Sequence, residues 1–180
     1  MRMTHVLSSD LRRCAWAEQH PLLRVYHDHE YGVRPPTDAA LFERLTLEVF
    51  QAGLSWLTVL KKREGFRRAF EDFDPAAVAS YGECERTRLM ADPEIVRNGA
   101  KIEATIHNAG VVVRLAREHG SFAAWLDAQG QLGRAEWVKL FKRTFRFTGG
   151  EITNEFLLST GYLPIGHDPG CFRAGRDGAR

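Results

Sequence analysis

The stretch Lys139-Leu140-Phe141-Lys142-Arg143-Thr144-Phe145-Arg146-Phe147-Thr148-Gly149-Gly150-Glu151 decides how the chain folds. Lys139, Lys142, Arg143 and Arg146 recur at i, i+3, i+4 and i+7, the repeat of one helical face. The segment predicts a helix over 135–142 and a second over 151–159, joined by residues 144–150. Adjacent glycines let a tight turn take positive φ and bring its N–H groups close to another molecule. Together with the N-terminus of the following helix, such groups hold a phosphate. A basic helix face alone reads as a solvated surface, and a Gly-Gly turn alone as an ordinary two-helix connection. Side by side they make Thr148, Gly149 and Gly150, with the four basic residues, a candidate DNA-backbone contact.

Working outward, the punctuation is helical. Thr37-Asp38 follows Pro35-Pro36 as a helix start, and Asp74-Pro75 sets a cap before proline at the first helical position. Ser55 is expected to cap a helix through Val59 and Leu60 that stops at Gly65. Ile102, Ile106, Ala109 and Val113 mark a long helix over 99–118 closed by Gly120. Ser121 opens a short one carrying Phe122, Trp125 and Leu126. The one β-branched run, Val111-Val112-Val113, lies inside the helical period. An all-α fold follows, expected as one domain over 11–175 in two closely packed helical lobes, with flexible ends at 1–10 and 176–180.

Of 180 residues, 25 are basic and 23 acidic, so the net charge of +2 says little about nucleic acid. Local clusters say more. One holds Lys61, Lys62, Arg63, Arg67 and Arg68, and the other is the 139–146 face. No run is long enough to span a membrane and residues 1–10 do not resemble a signal peptide. Three cysteines fit a reducing cytoplasm, with free thiols or metal ligands rather than disulfides.

Three further features carry chemistry. Cys14 and His27 near the start, with His167 and Cys171 near the end, supply two thiolates and two imidazoles, a donor set suited to tetrahedral zinc. Buried thiols and unrelated histidines would give the same list. Cys84, in a polar stretch, is expected to be a lone structural thiol. Glu48 falls on the apolar stripe of its helix, with Leu41, Leu45 and Ala52. Such an acid is either paired inside, with Arg44 or Lys61 at hand, or faces a cleft. Around it cluster Trp16, Tyr26, Tyr31 and Trp56. Aromatic faces that sandwich an extruded base are one use for such a group, core packing the other.

At these residues the chain resembles the bacterial DNA-3-methyladenine glycosylase I family, from about Arg13 to Cys171. The blocks that carry the likeness are Cys14-Ala15-Trp16, Tyr26-His27-Asp28-His29-Glu30-Tyr31-Gly32-Val33, Gln51-Ala52-Gly53-Leu54-Ser55-Trp56-Leu57-Thr58-Val59-Leu60-Lys61-Lys62-Arg63-Glu64, and Ile95-Val96-Arg97-Asn98 followed by Lys101-Ile102. The resemblance implies a helix–hairpin–helix DNA glycosylase fold with a structural zinc clip joining the two termini and no other cofactor. It implies Cys14, His27, His167 and Cys171 as ligands, Glu48 as the pocket carboxylate, and Tyr26 and Trp56 as pocket aromatics beside Trp16 and Tyr31. The hairpin matches the family's DNA-backbone anchor.

The activity implied is monofunctional excision of 3-methyladenine from alkylated double-stranded DNA, by a monomer working in the cytoplasm at the nucleoid. The chain departs from the pattern at Leu23, where a pocket tyrosine is expected, and at Thr148-Gly149-Gly150-Glu151, usually Val-Gly-Pro-Thr. The segment 152–161 lacks the usual Cys-Tyr and Phe-Met-Gln-Ala pattern. These departures keep three other readings in play: a non-catalytic module for damaged DNA, a glycosylase with a shifted lesion preference, and a zinc-stabilised protein-interaction domain.

Overall fold

A computed structural model describes residues 11–175; the ends expected to be flexible lie outside the described residues. Among those residues the chain is helical throughout and contains no strand, as the periodicity predicts. In order come a 3₁₀ turn Ala15–Gln19, α1 (Pro21–His29), α2 (Asp38–Gln51), α3 (Trp56–Lys61) and α4 (Arg63–Ala69). A 3₁₀ turn Glu71–Phe73 leads to α5 (Pro75–Ala79), α6 (Glu83–Ala91), α7 (Gly99–His119), α8 (Phe122–Ala128), α9 (Arg134–Thr144) and α10 (Gly150–Ser159). No helix is long and apolar enough to cross a membrane.

The axis of the fold is α2. Every residue from 41 to 50 is buried, because α3, α5, α7, α8 and α10 all pack against it. The Thr37 hydroxyl caps it by accepting from Ala40 N at 3.1 Å. Asp38 serves a different helix: its carboxylate accepts from Phe122 N at 2.8 Å and Ala123 N at 3.3 Å, tying α8 to the start of α2. At the other end Lys101 of α7 donates from Nζ to Phe50 O at 2.9 Å and Ala52 O at 2.6 Å. That buried ammonium terminates α2 and fixes the loop that presents Trp56.

The long helix α7 agrees with its prediction almost to the residue, closing at Gly120 with φ of 93°. Gly65 does not stop a helix. The break comes earlier, at Lys62, and Gly65 lies buried inside α4, where an added Cβ would meet the Glu94 carbonyl oxygen at 2.5 Å. Glycine is there for close approach, not termination. Gly65→Ala should therefore cost about 1–3 kcal/mol, read as a lower urea midpoint at unchanged m; an unchanged midpoint would show that the segment around Glu94 yields freely.

The basic cluster at 61–68 is largely spent inside the protein. Arg63 and Arg67 converge on the buried Glu43 carboxylate at 2.7 and 2.8 Å. Arg63 and Arg44 both reach Glu30 at 2.8 Å, and Arg68 pairs with Glu94 at 3.2 Å. Residues bound this way are poor phosphate contacts. Cys84, expected to be structural, is exposed on the first turn of α6.

Candidate active site

Three charged side chains project from the buried length of α2, and two have partners. Glu43 holds two guanidiniums, and Arg44 pairs with Glu30 and lies over the Tyr26 ring, 4.8 Å from its centroid. Glu48 is 4% exposed, yet neither Arg44 nor Lys61 bridges to it, and no hydrogen bond reaches its carboxylate from the described residues. It lines a cavity of about 360 Å³, within the roughly 300–1,000 Å³ typical of small-molecule sites. The internal salt bridge that would have explained Glu48 structurally does not form.

The cavity is walled by all four aromatic residues singled out in the sequence. Tyr26 and Trp56 have ring centroids 5.1 Å apart, Trp16 and Tyr31 5.3 Å, and Tyr26 and Tyr31 5.8 Å. They come from separate places: Trp16 from the first 3₁₀ turn, Tyr26 from α1, Tyr31 just beyond it, and Trp56 from α3. Ser55 starts α3 by accepting from Thr58 N at 3.1 Å, which sets Trp56 at the cavity edge. Leu23, on α1, also lines the cavity and keeps that wall apolar.

Burial, reinforced by the nearby Glu155 carboxylate and opposed by Arg44, holds the Glu48 carboxyl up at about 8. In the empty cavity it is therefore mostly protonated at neutral pH. An arriving positive charge would favour the carboxylate.

Cys14, His27, His167 and Cys171 form a group that could hold a metal ion, their donor atoms all within 4.8 Å of one another. Cys14 Sγ lies 3.3 Å from His167 Nδ1, and Cys171 Sγ lies 3.4 Å from His27 Nε2 and 3.8 Å from His167 Nδ1. Outer partners orient the set. His27 Nδ1 is 2.9 Å from Asp28 Oδ1, leaving Nε2 toward the cluster, and Arg13 grips the Asp28 carboxylate at 2.7 Å. Phe172 N donates to Arg12 O at 2.8 Å and Ala15 N to Asp168 Oδ2 at 2.7 Å, so the two ends of the described chain are laced together here.

A match to known proteins fits this geometry. The sequence model of the methyladenine glycosylase family matches residues 16–134. The chain belongs to the methyladenine glycosylase family. It is 38% identical to DNA-3-methyladenine glycosylase 1 of Escherichia coli K12, over 89% of this chain and 96% of that protein. It is also 38% identical to the DNA-3-methyladenine glycosylase of Haemophilus influenzae Rd, over 84% and 92%. A crystal structure of 3-methyladenine DNA glycosylase I superposes with a TM-score of 0.81 at 36% identity, covering 89% of this chain and 98% of that one. A Staphylococcus aureus 3-methyladenine DNA glycosylase I structure, described as showing 3-methyladenine recognition, superposes at 0.79 and 29% identity over 94% and 98%.

The turn expected to form the hairpin lies between α9 and α10, with geometry unlike the sequence expectation. Positive φ falls on Phe147, at 60°, and not on the glycines; Gly149 caps α10 with φ of −72°. The Thr148 hydroxyl turns inward, 3.0 Å from Phe141 O and 3.2 Å from Phe145 O, which leaves the backbone to meet anything outside. A Cβ on either glycine would touch nothing in this protein. Lys139, Lys142 and Arg143 are exposed on α9. Arg146 lies past the helix end, its backbone pinned to Asn108 at 2.8 and 3.0 Å, so the basic face is partly helix and partly loop.

Two cavity residues, Gln19 and Glu155, escaped the sequence reading, and the second carries charge. Glu155, on α10, puts a second carboxylate in the Glu48 cavity. Its place directly before Phe156-Leu157 gives no hint of this, since the cavity joins α10 to elements more than a hundred residues earlier.

Proposed function

We propose that this chain is a monofunctional DNA glycosylase of base excision repair, hydrolysing the N-glycosidic bond of 3-methyladenine in alkylated double-stranded DNA. The observation that carries the reading is Glu48: buried, without an ion pair among the described residues, and set in an aromatic cavity of one-base size. The relatives named above are DNA-3-methyladenine glycosylases, and one related structure is described as a complex with 3-methyladenine. The proposal includes action as a monomer in the cytoplasm, on nucleoid DNA.

In this reading the hairpin backbone at 148–150 and Lys139, Lys142, Arg143 and Arg146 hold phosphates beside the lesion. The damaged nucleotide turns out of the duplex and its base enters the cavity walled by Tyr26 and Trp56, with Trp16 and Tyr31 completing the aromatic lining. Stacking on a cationic purine adds cation–π attraction, and Glu48 accepts from the adenine edge. The bond from C1′ to the base nitrogen breaks with its electron pair leaving on the base, which neutralises the ring's charge. Water adds to C1′ and its proton passes to solvent. Because methylation already makes the base a good leaving group, positioning and the electrostatics of Glu48 near the sugar carry the rate.

The four-residue cluster fits zinc. Three donor separations, 3.3, 3.4 and 3.8 Å, match the roughly 3.3–3.8 Å between ligands of a tetrahedral site, and all four donors lie within 4.8 Å of one another. Four protein ligands leave no position for activating water, so the ion's contribution is structural: it fixes Trp16 and Tyr26, neighbours of ligands Cys14 and His27, in the cavity wall.

Incubation of methylated DNA with the purified chain, followed by chromatography, should show free 3-methyladenine and abasic strands that stay intact until alkali is added. DNA binding without base release would replace this reading with the non-catalytic damaged-DNA module, to which Leu23 in the cavity and Glu151 at the hairpin would then be the pointers.

A further inference from the structure

The geometry points to Glu155 as a second substrate-facing acid, which makes the cavity select purines bearing a positive charge over neutral ones. The inference rests on the cavity being the base site. Glu48 and Glu155 reach the same space from different helices, α2 and α10. No lysine, arginine or histidine lines that space. Two guanidiniums act on the acids from outside the lining: Arg44 on Glu48, engaged with Glu30 at 2.8 Å and with the face of Tyr26, and Arg134 on Glu155, 4.0 Å from Glu151. Glu155 itself has no ion pair among the described residues; its recorded contact is Asn154 Nδ2, which donates to its Oε1 at 3.4 Å. Two acids therefore face one aromatic hollow whose lining holds no basic residue, and neither acid is ion-paired among the described residues.

An arrangement of this kind is resolved by protons or by a cation. Burial raises the Glu155 carboxyl as it raises Glu48, with Glu151 adding to the effect, so the empty cavity retains protons. A neutral purine leaves that state unchanged and gains only stacking and hydrogen bonds. A purine alkylated on a ring nitrogen while still attached to sugar carries a positive charge. It replaces the proton as the compensating charge, in a site dry enough for the attraction to be large, and the ring faces favour it too. Since α10 starts at the hairpin, the same helix that presents phosphate-facing N–H groups carries the second acid one and a half turns on. Backbone grip and charge reading are thus built on one rigid element.

Binding constants should be measured at pH 7.5 from quenching of tryptophan fluorescence, Trp16 and Trp56 being in the wall. The probes are 3,9-dimethyladeninium, which carries a fixed charge, and neutral 3-methyladenine. The unaltered chain should prefer the cation by at least about tenfold, the scale of one close charge pair in a partly dry site. Glu155→Gln should remove most of that preference by weakening the cation alone, and Glu155→Asp should restore part of it, with all three proteins fully folded at the temperature of measurement. A preference unchanged in Glu155→Gln, or absent from the unaltered chain, overturns the inference. Loss of base release from methylated DNA with the cation preference intact would overturn the glycosylase reading instead.

Discussion

Replacing Glu48 by glutamine is expected to stabilise the folded chain at neutral pH while cutting 3-methyladenine release by at least about tenfold. The two effects have one origin. Burial holds the Glu48 carboxyl at about 8 in the fold against 4.5 for an ordinary glutamate. A carboxyl raised on folding gives its full stability below about pH 4.5, loses it steadily as the pH climbs, and reaches the full penalty above pH 8. At pH 7 the penalty is on the order of 3 kcal/mol. Glutamine has the same shape and no charge, so this loss disappears. The melting midpoint at pH 7.5 should rise by about 5 °C, and at pH 4.5 the gain should vanish. Activity runs the other way. The carboxylate is the form that attracts a cationic base, so kcat/KM in the unaltered chain should climb toward pH 8 and level off, a rise that Glu48→Gln lacks. Release near the unaltered rate would take Glu48 out of the reaction. A lower midpoint at pH 7.5 would mean that the acid has a partner the fold depends on.

That trade is legible in the sequence at Glu48 because a helical period puts an acid where an apolar residue belongs. Local rules also located the caps at Thr37, Ser55, Asp74 and Ser121, each of which accepts a backbone N–H where expected. They passed over α1 and α6 for a physical reason. Only Leu89 of α6 is buried, so no apolar stripe marks it, and α1 spends its buried face on Leu23, Tyr26 and His27, which read as site residues before they read as a helix. Gly65 was misleading since glycine serves both helix ends and close contacts, and only the position of Glu94 tells them apart. Phe147 takes the positive φ that two adjacent glycines seemed to invite, while Gly149 caps α10 in an extended conformation and Gly150 is its first residue. Glu155 was invisible, as no local pattern relates it to α2.

If the group of Cys14, His27, His167 and Cys171 holds zinc as proposed, its removal should act on the fold and the chemistry together, in contrast to Glu48→Gln. Cys14 and His167 stand 153 residues apart in the chain and 3.3 Å apart in space. Hydrogen bonds such as Phe172 N to Arg12 O, and Arg173 to the carbonyls of His27 and Tyr31, tie these ends together, with the Trp16 and Phe172 rings packed on His27. Structural zinc contributes about 10–16 kcal/mol in peptides that have no fold without it. Here the α2-centred core folds on other contacts, so part of that energy is expressed as docking of the ends. Chelation, or Cys171→Ser, should lower the melting midpoint by about 10 °C or more and open the ends to protease while α7 stays protected. Base release should fall as well, because Trp16 and Tyr26 lose their anchorage beside Cys14 and His27. Zinc near one equivalent per chain should accompany the intact protein. A chain stripped of metal that melts and excises as before would reduce the cluster to a coincidence of four residues, and the walls of the cavity would then have to be credited to the packing of Trp16, Tyr26, Tyr31 and Trp56 against one another. A variant that gains stability while losing excision, beside one that loses both, assigns the reaction to Glu48 and the scaffold to the clip.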